Sequence, residues 1–94
     1  MFWFTPAAPS HVKKEKEKAR ALRKTPWWDQ QLSTGLCHYC ENSFQKNELT
    51  MDHKIPVIRG GMSSKSNVVP CCKPCNSLKK HQTDVEFLSD IKKP

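Results

Sequence analysis

The chain has 94 residues, room for one small domain and not two. A body of this size keeps much of its surface wet, so disulfides, a structural metal or a partner is expected to supplement a thin apolar core. Its formal net charge of +7, from 16 Lys and Arg against 9 Asp and Glu, attracts polyanions, and with no run of roughly 18 apolar residues it is not expected to span a membrane.

Met1, Phe2, Trp3 and Phe4 are apolar, but Thr5 and Pro6 end the run well short of the core of a secretory signal, so a reducing cytoplasm is the expected setting. Residues 5–9 form a proline-bounded lead. From Ser10 to Lys24 the composition shifts to good helix formers, with Ser10 as the expected N-cap. Seven Lys or Arg stand against two Glu there. Val12, Ala19, Ala21 and Leu22 make a poor apolar stripe, so a solvated helix is expected, either a soluble spacer or an arm that contacts DNA. Thr25, Pro26, Trp27 and Trp28 read as a cap, a proline in the first turn and a short helix to about Leu32, stopped by Gly35.

Residues 49–55 read as a strand ended by Pro56, expected to pair with a strand over residues 36–44 through the polar turn at residues 45–47. Residues 59–66 form a loop with two glycines. A helix is expected from about Lys73 to Lys80. Thr83 and Glu86 have the capping-box spacing for a last short helix carrying Phe87, Leu88 and Ile91.

Five cysteines fall as Cys37 and Cys40, then Cys71, Cys72 and Cys75. An odd count with paired C-x-x-C spacing fits metal ligation better than a disulfide framework. Each C-x-x-C turn delivers two thiolates to one point, so Cys37, Cys40, Cys72 and Cys75 are expected to close a tetrahedral, structural Zn²⁺ site. Cys71 is the spare thiol, read as a small buried apolar side chain.

Between the cysteine pairs lie Asp52 and His53, Pro56, Gly60 and Gly61, and Asn67, followed by Asn76 and Lys79 around the last cysteine. Asn67 follows His53 by 14 residues and Asn76 follows it by 23. Each residue alone is a weak signal, but their order and spacing resemble the HNH family of nucleases, over residues 35–83. The resemblance implies a small α+β fold with a ββα-metal (His-Me finger) core. It also implies metal-dependent hydrolysis of DNA phosphodiester bonds, double-stranded DNA being the expected substrate. Carried over by position, His53 is the general base. Asp52 and Asn76 are ligands of a catalytic divalent cation, Mg²⁺ or Mn²⁺, and Asn67 holds the loop and the histidine in place. The chain then divides into a basic N-terminal helical arm, residues 1–24, and a zinc-stabilised nuclease domain, residues 25–94, with its core at 35–83. Monomer and weak dimer both stay open.

The chemistry is coherent without the family name. A hard cation on oxygen ligands neutralises the phosphate and the leaving oxygen, and a neutral imidazole takes a proton from water. Asp52 is the only acid in residues 49–83, too few for a symmetric two-metal site. Lys54, Arg59, Lys65, Lys73, Lys79 and Lys80 surround these residues in sequence as candidate phosphate contacts, while His38 and His81 are read as exposed polar residues. The alternative, a zinc-stabilised module that binds nucleic acid without cutting it, explains the cysteines and the charge. It leaves Asp52, His53, Asn67 and Asn76 unexplained as a set. One geometric demand follows. Neighbouring residues on a regular strand face opposite ways, so Asp52 and His53 share a site only if it wraps the strand's end.

Overall fold

The computed structural model describes residues 4–91 as a small α+β body with four α-helices and one two-stranded sheet. In chain order these are α1 (Pro9–Arg23), α2 (Pro26–Ser33), β1 (Leu49–His53), β2 (Val68–Cys72), α3 (Lys73–Lys79) and α4 (Asp84–Ile91). No described helix is long and apolar enough to cross a membrane.

Local chemistry sets most of the helix ends. Thr25 caps α2 by accepting from the Trp28 amide at 3.3 Å, and Pro26 occupies the first turn, where its missing N–H costs nothing. Thr83 and Glu86 close a reciprocal capping box on α4: each amide donates to the other's side chain, at 2.9 and 3.2 Å. Helix α1 departs from expectation. Its N-cap is Ala8, with no side-chain cap, because Pro9 already presets the first turn, and Ser10 lies exposed inside the helix.

The strand pairing also differs from the sequence expectation. β1 pairs antiparallel with β2, Asp52 opposite Val69 and His53 opposite Val68, and not with the segment around the first cysteine pair. That segment closes on itself through a bridge between Leu36 and Ser43, and reaches the sheet through the His38 amide, which donates to the Pro70 carbonyl at 2.9 Å. The physical reason is burial. Val68, Val69, Cys71 and Cys72 leave β2 almost wholly covered, which pairing with β1 permits, whereas residues 41–43 are exposed.

The core gathers Tyr39, Leu49, Val69 and Phe87 around the cysteines, with Leu32, Phe44 and Leu88 packed against it. Tyr39 and Phe87 meet edge to face at 5.2 Å between ring centroids. Trp28 is buried, Trp27 is partly exposed, and α2 packs against β2. The chain thus runs β1, β2, α3 with the strand ends and the helix brought together.

A candidate active site beside a four-thiol cluster

Cys37, Cys40, Cys72 and Cys75 bring their sulfur atoms within 4.8 Å of one another, and none is in a disulfide. Sulfurs at the corners of a zinc tetrahedron, with Zn–S near 2.3 Å, lie roughly 3.8 Å apart. Cys40 and Cys72 sit at 3.9 Å. Burial resists ionisation of Cys37, but backbone amides of Cys72, Cys40 and Tyr39 outweigh it and bring the thiol down to about 7. Four converging soft donors, three of them buried, fit a closed structural metal. Cys71 points elsewhere in chemistry: burial pushes its thiol well up, so it stays a neutral core side chain.

On the same elements, Asp52, His53 and Asn76 line one cavity of about 520 Å³, together with Val12 and Lys16 of α1 and with Lys79, Lys80 and His81. The sharing works because β1 stops at His53 and the chain bends before Pro56, so the cavity wraps the strand's end.

Asp52 is buried, and its Oδ2 takes both internal partners. The Tyr39 hydroxyl donates to it at 2.5 Å, and the Lys79 ammonium lies at 3.2 Å. Burial, reinforced by Asp52, pushes the Tyr39 phenol far up, so it remains a neutral donor. Lys79 is itself 1% exposed and also donates to the His53 carbonyl at 3.0 Å. Its charge is therefore consumed inside the fold and is not a surface contact for phosphate. Arg59 is likewise occupied, paired with Glu86 at 2.6 Å. Lys65 lies 5.5 Å over the Trp27 ring. Of the basic residues singled out in sequence, Lys79 and Lys80 line the cavity, and of these two Lys80 is the exposed one. His38 and His81 are exposed as expected, although His81 also borders the cavity.

Asn76 follows the last cysteine ligand in α3, and donor counting orients its amide. Thr50 has one hydroxyl proton and gives it to the Cys71 carbonyl at 2.9 Å, so it can only accept from Asn76 Nδ2, 3.0 Å away. The amide oxygen is thereby the end left for a ligand. Asp52 and Asn76 form an oxygen donor pair at one cavity, a set that suits a hard divalent cation.

Asn67 does not line that cavity. Its side chain accepts from the Ile55 amide at 3.0 Å and donates to the carbonyls of Ile55 and Met62 at 3.1 and 2.8 Å. It staples the exit of β1 to the glycine loop. Within that loop Gly61 must be glycine: a Cβ there would lie 1.7 Å from the Ile55 carbonyl oxygen.

His53 is half-buried, and its Nε2 lies 2.9 Å from the Ser63 hydroxyl. Burial lowers its pKa below the ordinary 6.5, helped by Lys79 and Arg23, while Asp52 and Glu15 pull the other way; the ring is neutral near pH 7. Ser63 in turn is held by α1, which sequence reading missed. Glu15, 1% exposed, accepts from the Ser63 amide at 2.7 Å and through its own carbonyl from the Ser63 hydroxyl at 2.5 Å. His11 and Ala7 bind the same loop, at the Gly61 carbonyl (3.0 Å) and the Ile58 carbonyl (2.6 Å). His11 and Glu15, one turn apart on α1, make its docking face toward this loop, and because both are polar, a search for an apolar stripe passes over it.

A family model described as HNH endonuclease matches residues 37–92, more than half of the chain. No curated protein matches it.

Proposed function

The chain belongs to the HNH endonuclease family, and from that premise we propose that it hydrolyses phosphodiester bonds in double-stranded DNA with one catalytic divalent cation. The observation that carries the reading is the single cavity lined by Asp52, His53 and Asn76. Asp52 and the Asn76 amide oxygen would hold the cation, Mg²⁺ or Mn²⁺. When bound, it supplies charge neutralisation at the scissile phosphate and at the departing oxygen.

The remaining work falls to this chain's own groups. His53, neutral near pH 7, accepts the proton of the attacking water. Lys79 and Tyr39 fix one carboxylate oxygen of Asp52, which leaves the second oxygen as the donor. Thr50 turns the Asn76 amide so that its oxygen is available. Asn67 holds the loop beyond β1 and with it the ring of His53. Cys37, Cys40, Cys72 and Cys75 would carry a structural Zn²⁺ that anchors α3 and so positions Asn76. Thiols that must stay reduced suit a reducing cytoplasm. The basic arm then acts as a phosphate contact: Lys13, Lys16, Arg20 and Arg23 of α1 line an opening shared with His53.

The test incubates the full chain with supercoiled plasmid and Mg²⁺ or Mn²⁺, beside His53→Ala and a chelator control. Metal-dependent nicking is expected, falling about 100- to 10,000-fold in His53→Ala while DNA binding is kept. Nicking unchanged in His53→Ala would remove the histidine from the reaction. Tight DNA binding with no cutting under either metal would favour a module that binds without catalysis.

A further inference from the structure

The contact between α1 and the glycine loop decides which nitrogen of His53 can act. Ser63 Oγ has a single proton. At 2.5 Å from the Glu15 carbonyl oxygen, which can only accept, that proton is committed to Glu15. Toward His53 Nε2, 2.9 Å away, the hydroxyl oxygen can therefore only accept. The neutral ring must carry its proton on Nε2, and its lone pair then lies on Nδ1.

We propose that Ser63, clamped by Glu15 of α1, locks His53 in the Nε2–H tautomer and so makes Nδ1 the proton-accepting nitrogen. The proposal rests on the reading of His53 as the base where it concerns turnover; the lock itself rests on hydrogen bonds alone. Ser63 and Glu15 are positioning residues. Neither touches the reacting atoms, and both act through the imidazole.

The clamp is doubled, since Glu15 holds the Ser63 amide with its carboxylate and the hydroxyl with its main chain. His11 adds a third bond to the same loop, at the Gly61 carbonyl. The device also survives the proton transfer. When Nδ1 accepts a proton the ring becomes an imidazolium whose Nε2–H still donates to Ser63, so no partner has to be exchanged during the reaction. Residues 7–15 lie outside the stretch matched to the HNH family, residues 37–92, so the lock is a property of this chain's arm added to the family core.

The tautomer is read directly from the ¹⁵N shifts of the imidazole nitrogens in the full chain, loaded with zinc and free of other divalent ions, at slightly alkaline pH. The His53 signals are identified by their loss in His53→Asn. In the wild-type chain Nε2 is expected at a protonated-type shift and Nδ1 at a lone-pair-type shift. Ser63→Ala should move both toward the averaged values of a tautomer mixture and lower kcat on supercoiled plasmid about 10-fold with KM unchanged. Ser63→Thr, which keeps the hydroxyl, should restore both readouts. A wild-type spectrum with the proton on Nδ1 overturns the proposal whether or not the chain cuts DNA. Identical spectra and kcat in Ser63→Ala overturn it as well. The expected tautomer in a chain that cuts no DNA upholds the lock and counts against the nuclease reading alone. Because the wild-type spectrum is read without Ser63→Ala, poor folding of that variant leaves the decisive measurement intact.

Discussion

The thiol cluster and the polar cavity meet in α3, where Cys75 and Asn76 are neighbours in sequence, yet they are built on opposite principles. The cluster takes four soft donors from two short motifs and closes on itself, with Cys37, Cys72 and Cys75 buried. The cavity takes hard oxygen and nitrogen donors from a strand end and a helix, and each is held by a different partner: Asp52 by Tyr39 and Lys79, Asn76 by Thr50, His53 by Ser63. A site meant only to hold the fold can satisfy every ligand position with protein. A site meant to react must commit one face of each group to the scaffold and keep the other for substrate.

The contrast breaks most visibly at the metal. Stripping the zinc proposed for the four thiols with a chelator is expected to abolish cooperative unfolding altogether, since a structural zinc contributes about 10–16 kcal/mol against a total domain stability of about 5–15 kcal/mol. Calorimetry or circular dichroism on the stripped chain checks this; an unchanged melt would reduce the four thiols to ordinary core residues.

A smaller loss is expected on the cavity side. Lys79→Met leaves the Asp52 carboxylate buried with Tyr39 as its remaining internal partner, and breaking one side of a buried pair costs about 3–5 kcal/mol. For a domain of this size that lowers Tm by roughly 10–40 °C while zinc content stays at its wild-type level. Loss of zinc along with stability would mean that the two regions are one cooperative unit.

The smallest effect concerns the tie between the glycine loop and α4. Burial resists ionisation of Glu86, but hydrogen bonds from Arg59 and Thr83 prevail and hold its carboxyl below the usual 4.5. A depressed carboxylate stabilises the fold at pH values above 4.5, and that contribution is lost as the pH falls through the folded-state pKa. Acid titration of thermal stability should therefore be steeper for the wild type than for Glu86→Gln below about pH 4.5, and the two curves should run parallel above it. Parallel curves throughout would show that Arg59 and Glu86 add nothing to the loop.

Much of the helical scaffold was legible because its signals are local. The Thr25 cap with Pro26, the capping box of Thr83 and Glu86, and the two C-x-x-C turns each encode their geometry within four residues. The strand partner of residues 49–53 was not legible: two candidate segments flank β1, and only burial of Val68 and Val69 against the core selects the second. Lys79 reads in sequence as a candidate phosphate contact, and only the fold encloses it beside Asp52. Tyr39 drew no notice inside its cysteine turn, although its hydroxyl reaches the carboxylate across 13 residues. Glu15 and Ser63, 48 residues apart, carry no pattern that pairs them.

By itself, then, the sequence determined the chemistry on offer: four thiols for a soft metal, an Asp-His pair with two asparagines at family spacing, and a helix rich in Lys and Arg. Which atoms of those groups are spent on the scaffold and which remain free was decided in three dimensions. A hydroxyl has one proton and a carboxylate oxygen few lone pairs, so the direction of each hydrogen bond depends on neighbours that chain order does not name.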